Sequence, residues 1–140
     1  MNLPLLISVP HAGVRVPPEI ETLCILNEEE IIRDGDEGAG RIYHPLKEMV
    51  EAFVTTDIAR AIVDMNRAEK DRRKDGVVKT HTCWNVPVYG EEHGERIART
   101  LISKYHRPYH EKLTRSAENV IMGVDCHTMA AQGPPVGPDS

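Results

Sequence analysis

The apolar positions of this chain fall in short runs separated by polar and proline-rich stretches, and the period within each run predicts what it forms. Residues 3–9 are mostly branched and apolar without alternation and are closed by Pro10, the pattern of a buried strand that hands the chain to a loop. Val16 is followed by two prolines and predicts a loop, and Asn27 ahead of Glu28, Glu29 and Glu30 predicts a capped helix ending near Arg33. Beyond a turn-like 34–38, Ile42, Leu46, Met49, Val50 and Phe53 recur at helical spacing, which predicts an amphipathic helix with one buried face. Residues 54–59 and 61–65 read as strands, the second turning abruptly polar at Asp64-Met-Asn-Arg. The almost wholly charged 69–75 predicts a solvated loop. Ile97, Leu101 and Tyr105 mark a further helix, and Pro108 either kinks it or opens a new one carrying Leu113. Residues 120–125 predict a final buried strand, and 132–140, rich in glycine and proline, predict an irregular tail.

Strands alternating with helices predict an α/β domain with a mostly parallel or mixed sheet flanked by helices, whose sites collect beyond the carboxyl ends of the strands. A length of 140 residues, 40% hydrophobic and 28% charged, suits one domain over 1–140. The net charge of -5 and a pI near 5.8 give no broad basic footprint, which argues against a nucleic-acid partner. No apolar run approaches the roughly 18 residues of a membrane span, and the amino terminus lacks a signal-peptide pattern. Cys24, Cys83 and Cys126 are widely spaced with no CxxC pair, as reduced thiols in a soluble cytoplasmic protein are.

Three polar clusters follow predicted strands: Pro10-His-Ala-Gly, Asp64-Met-Asn-Arg and Asp125-Cys-His-Thr. A parallel sheet would bring these ends to one edge, and two histidines with a carboxylate are a usual ligand set for catalytic zinc. His11 and His127 supply the imidazoles, with their metal-facing nitrogens expected within about 4 Å of each other. Asp36 is the candidate oxygen ligand; an aspartate before a helix can equally serve as its cap, with Asp34 and Glu37 as replacements. Arg60 and Arg67 bracket an apolar segment and need anionic partners. Those partners are either Asp57, Asp64 or Asp125, or a substrate whose scissile carbonyl one guanidinium polarises while the other, beside Asn66, grips a carboxylate. His81 and Trp84, in an irregular stretch, either line the site or anchor their loop. His44, His93, His106 and His110 read as structural, the last two being separated by Pro108.

The segments Leu5-Leu-Ile-Ser-Val-Pro-His-Ala-Gly, Asp36-Glu-Gly-Ala, Ala59-Arg-Ala-Ile-Val-Asp-Met-Asn-Arg and Val124-Asp-Cys-His-Thr-Met resemble, in order, the motifs of N-formylglutamate amidohydrolases. The resemblance covers nearly the whole chain. That family is similar in turn to aspartoacylases and carboxypeptidase A-like zinc peptidases, with a phosphorylase/hydrolase-like mixed sheet flanked by helices. It implies zinc held by His11, His127 and Asp36, an oxyanion steadied by Arg60, and a substrate carboxylate bound by Asn66 and Arg67. The implied reaction is hydrolysis of the formyl or acyl amide of a small acyl amino acid such as N-formylglutamate.

Two departures qualify what the resemblance implies. The related peptidases place a glutamate just after the first histidine, where this chain has Val14. Enzymes of the group are usually much longer, and their general-base glutamate lies beyond the second histidine. After His127 the sole acid here is Asp139, so the base is expected beyond Ser140. The rival readings are an aspartoacylase- or carboxypeptidase-like hydrolase, and a truncated, non-catalytic metal- or carboxylate-binding protein completed by self-association into a homo-oligomer.

Overall fold

The computed structural model describes residues 1–92 and 94–133, so His93 and Asp139 lie outside it. Strand β1 (Leu3–Val9) is the middle of a three-stranded sheet between β2 (Val50–Thr55) and β3 (Met122–Asp125), all parallel. Strand alternation divides the core in two. Leu6 packs with Ile62, Leu101 and Tyr109 on one face, and Ile7 and Val9 pack with Ala39, Val50 and Cys126 on the other. Burial on both faces is why β1 is apolar throughout except at Ser8.

Helix α1 (Glu28–Asp34) starts on a reciprocal capping box between Asn27 and Glu30. A short α2 (Ala39–Tyr43) follows. From α3 (Glu95–Leu101) the chain runs through one π-helical turn (Ile102–His106) directly into α4 (Arg107–Ser116). Pro108 accounts for the π turn: it has no N–H for the carbonyl of Lys104 and its ring would crowd that carbonyl, so the turn widens, and Arg107 N–H bonds back to Ile102 instead. The serine on β1 is tied to this helix, with Ser8 Oγ 2.7 Å from Tyr109 Oη.

Four predicted elements differ, the strand expected over 54–59 being one of them, since the observed strand lies earlier and ends at Thr55. The helix expected from Ile42 to Phe53 stops at Tyr43. Pro45 admits only a 3-10 stretch (His44–Glu48), and β2 begins at Val50. Ile42 and Met49 are 58% and 53% exposed, so the supposed buried face does not exist. Residues 61–65 are buried but form turns, with Ile62 and Val63 N–H both bonding Ala59 O and a single Val63–Val78 bridge in place of a sheet ladder. Burial demanded apolar residues there without a sheet ladder. The last strand is an exposed edge rather than a buried element: Met122 and Val124 are 58% and 37% exposed. Among the described residues no helix is long and apolar enough to cross a membrane.

The burial pattern sets a test. Leu101 is fully buried, so Leu101→Ala should destabilise the fold by about 2–5 kcal/mol in urea unfolding. Ile42→Ala should stay within about 0.5 kcal/mol. Equal costs would restore the longer amphipathic helix.

Candidate metal centre and anion site

His11 follows β1, and Gly13 lets its loop lie directly on the chain at Asp57 and Ile58, where an added Cβ would sit 2.3 Å from the Asp57 carbonyl carbon. Arg15 N–H then donates to Asp57 O, and Ala59 N–H to Arg15 O, which fixes the His11 loop beside Arg60. Asp36 N–H donates to His11 O at 2.9 Å. His127, just past β3, is held from the same side: Tyr43 Oη donates to its carbonyl oxygen and Thr128 Oγ1 to Glu37 O.

These loops bring His11, Asp36 and His127 together, with one donor atom from each lying within 4.8 Å of the others. The ring centroids of the two histidines are 5.0 Å apart. His11 Nε2 is 2.7 Å from Asp64 Oδ1 and His127 Nε2 is 2.9 Å from Asp125 Oδ2. A carboxylate only accepts, so each imidazole donates its Nε2–H outward, and its Nδ1, turned inward on Asp36, either donates a proton there or, deprotonated, offers a lone pair to a metal. Both Nδ1 atoms face Asp36 Oδ2, at 3.5 Å from His11 and 2.8 Å from His127. Asp36 Oδ2 is therefore satisfied either by a proton on each ring or by one cation shared among the three atoms. The two separations bracket the edge of about 3.3 Å of a tetrahedron with metal bonds near 2.0 Å. The residues therefore fit zinc, and histidines oriented by outer carboxylates are what such sites use.

The electrostatics agree with this fit. Burial by itself lowers the His11 pKa, but contact with Asp36 and Asp64 outweighs it and holds the value above normal. Burial by itself raises the Asp36 pKa, and the two histidines more than offset that, leaving it below normal. A field that draws a proton onto His11 also favours a divalent cation. Asp36 does not cap α2, whose N-cap is Gly38, in a left-handed conformation with φ 79°. Asp34 turns away, its Oδ1 accepting from Cys83 N–H and its Oδ2 lying 3.5 Å from Lys79 Nζ, both side chains wholly buried. Glu37 is exposed and lines a neighbouring cavity.

Beside these ligands is a cavity of about 280 Å³ lined by Asp36, Arg60, Arg67, Asp75, Trp84 and Arg33, among others. Asp64 is the buried partner of both predicted arginines, while Asp57 pairs with Arg15 and Asp125 with His127. Arg60 Nε donates to Asp64 Oδ2 at 3.1 Å and Nη1 to Asp34 O. Arg67 is held more loosely, 3.7 Å from both Asp64 Oδ2 and Asp75 Oδ2, too far for a hydrogen bond to either carboxylate. Its Nε–H donates to Asp75 O at 3.3 Å, which leaves the terminal N–H groups without a hydrogen bond to a carboxylate and open to a planar anion.

Two predicted substrate residues are not brought to this cavity. Asn66 is exposed and lines a groove between α4 and β3, because its own N–H is turned inward to Asp64 Oδ1. His81 bonds Thr80 and lines a separate cavity with Tyr89 and Pro87. Trp84 does reach it.

His106 and His110, which read as structural from sequence, hold the arginine loop. Their Nε2–H groups donate to Arg67 O at 2.8 Å and Met65 O at 2.7 Å, with ring centroids 4.3 Å apart. Burial keeps the His106 pKa below normal, so the ring stays neutral and offers one N–H. The i, i+4 spacing was the available signal; Pro108 obscured it because the π turn that accommodates it cannot be read locally.

The family model for N-formylglutamate amidohydrolases matches residues 3–140. The chain is 27% identical over 127 residues to the N-formylglutamate deformylase of Pseudomonas putida, covering 85% of this chain and 47% of that protein. A second such deformylase, from Pseudomonas aeruginosa, is 27% identical over 125 residues, covering 81% and 47%. A crystal structure of the N-formylglutamate amidohydrolase of Ralstonia eutropha JMP134 superposes with a TM-score of 0.77 at 20% identity, covering 91% of this chain and 54% of that one. A gene product of Agrobacterium tumefaciens follows at 0.72 and 18%, covering 89% and 51%. These structures share the fold. The chain spans about half the length of the relatives it matches.

The purified chain should take up one equivalent of zinc, measured by metal analysis after dialysis. His127→Ala or Asp36→Ala should abolish uptake, and Asp125→Asn should weaken it about 10- to 100-fold by releasing the His127 ring. Unchanged uptake in Asp36→Ala would remove the carboxylate from the ligand set.

Proposed function

The chain belongs to the N-formylglutamate amidohydrolase family, and from that premise we propose that it acts on the acyl amide of small carboxylate-bearing amino acids such as N-formylglutamate, with zinc at His11, Asp36 and His127. The observation that carries the reading is the inward convergence of two Nδ1 atoms on Asp36 Oδ2, each imidazole oriented by an outer carboxylate. It lies next to a cavity that also presents two arginines. The metal would supply Lewis acidity toward the amide carbonyl and would acidify a water. Arg60, clamped by Asp64 and the Asp34 carbonyl, steadies negative charge developing on the carbonyl oxygen without having to reorganise. Arg67, whose fork is not hydrogen-bonded to a carboxylate, orients the substrate through one carboxylate. The free thiols of Cys24, Cys83 and Cys126 fit a cytoplasmic setting.

One observation favours the narrower reading, that this stretch by itself binds metal and carboxylate with little turnover. Every acid lining the cavity is engaged: Asp34 with Cys83 and Lys79, Asp36 with both histidines, Asp75 with Arg67. None is left to act as general base.

The zinc-loaded chain should therefore release formate from N-formylglutamate at least about 100-fold more slowly than a full-length relative. Within that residual rate, Arg60→Ala should lower kcat by about 100- to 1,000-fold. Arg67→Ala should chiefly raise KM. Turnover equal to the relative's would place a base among the residues described; loss of kcat alone in both variants would overturn the assignment of Arg67.

A further inference from the structure

Arg33 has no role in the reading so far. It stands in the last turn of α1 and is exposed, yet its position is constrained. Its guanidinium carbon lies 4.0 Å over the Trp84 ring, and Trp84 Nε1–H donates to the carbonyl oxygen of Arg33 itself at 3.0 Å. The neighbouring residues repeat the link, Cys83 N–H donating to Asp34 Oδ1 at 2.7 Å. Two adjacent residues of α1 are therefore fastened to two adjacent residues of the 83–84 loop, and the ring under Arg33 is a fixed platform.

A guanidinium stacked on an aromatic face uses its π surface for that contact and keeps its N–H edge available. Among the described residues Arg33 has no carboxylate partner, whereas Arg60 and Arg67, which line the same cavity, are countered by Asp64 and Asp75. Arg33 also lines the larger adjoining cavity of about 630 Å³ with Glu29 and Glu37, neither of which reaches it as an ion pair. The cavity thus holds two arginines without a hydrogen bond to a carboxylate, Arg67, which Asp64 and Asp75 partly counter, and Arg33, which is preorganised and has no opposing acid among the described residues. A ligand with one carboxylate satisfies one of them.

We propose that Arg33, supported on Trp84, is the subsite for the second, side-chain carboxylate of the ligand, so that this site selects dicarboxylic over monocarboxylic acyl amino acids. This rests on the reading above in which Arg67 takes the first carboxylate. Loss of a charge-assisted fork should cost on the order of 10- to 100-fold in affinity for the dicarboxylate. It should cost a ligand with a neutral side chain nothing.

The test is calorimetric binding of glutamate and of glutamine to the zinc-loaded 140-residue chain, so that turnover is not needed. The wild-type chain should bind glutamate at least about 10-fold more tightly than glutamine. Arg33→Met, which keeps an apolar stem over Trp84, should bring that ratio close to one by weakening glutamate alone, and Arg33→Lys should restore part of it. A wild-type chain that binds neither ligand or does not distinguish them, or a ratio that survives Arg33→Met, overturns the proposal. Formate release from N-formylglutamate, measured alongside, separates the two claims. An Arg33-dependent ratio without turnover keeps the subsite and removes the reaction, and turnover with an Arg33-independent ratio does the opposite.

Discussion

Asp64 carries a carboxylate into the interior at 1% exposure, where an uncompensated charge costs several kcal/mol. Burial pushes its pKa upward, and the hydrogen bond and charge of His11 together with Arg60 and Lys79 pull it far below the usual carboxylate range. The group is ionised because the site surrounds it. Each of its contacts is also a functional placement: Oδ1 receives His11 Nε2–H and the Asn66 N–H, and Oδ2 receives Arg60 Nε–H and faces Arg67. One buried charge thereby orients the His11 ring and fixes the positions of two arginines. Neutralising it would leave the three partners without a common anchor, a larger loss than any one pair suggests.

The surrounding structure is built to keep that charge in place. The turn at 61–65 is covered by wholly buried side chains, and Asp64 N–H donates to Val77 O, so the backbone under the carboxylate cannot shift independently. From behind, α4 and the π turn bring His106 and His110 onto the carbonyls of Arg67 and Met65. From the side, the buried Lys79–Asp34 pair holds the segment that leads into Asp36. Its Nζ and Oδ2 make no hydrogen bond among the described residues, so the pair relies on Coulomb attraction at 3.5 Å in a region of low polarity.

What could be read in the sequence was what is local. His11 and His127 stand just beyond strands, and an abrupt change from apolar to polar residues marks such positions without any knowledge of the partner strand. Arg60, Asp64 and Arg67 share one short motif, so their proximity was implied by spacing. The failures are tertiary. Val50 and Val54 are buried as alternate members of a strand pair, yet with Leu46 and Phe53 they also satisfy a helical spacing, and only pairing with β1 decides between them. Residues 61–65 keep the expected burial without the expected strand, and 122–125 keep the strand without the burial, because apolar character reports contact with something apolar, not the kind of element. Lys79 offered no local sign of burial, since its counter-charge lies far off in sequence. Asn66 left the arginine cavity because its backbone, rather than its side chain, was needed by Asp64.

The exposed edge strand has a consequence for how the centre is assembled in time. β3 pairs with β1 across nearly the whole length of the chain, and that closure carries a larger entropic cost than the β1–β2 pairing. It is held along one edge with no buried side chain of its own, and its amide hydrogens should exchange more readily than those of β1. His127 arrives only with β3, whereas His11 and Asp36 are already joined by a backbone hydrogen bond. On loop-closure grounds His127, the third candidate ligand, should join the other two late in folding and part from them early on local opening. A bound ion would act as a clasp on this edge strand, and the rate at which it is released would report the opening of β3 rather than the strength of the metal bonds alone.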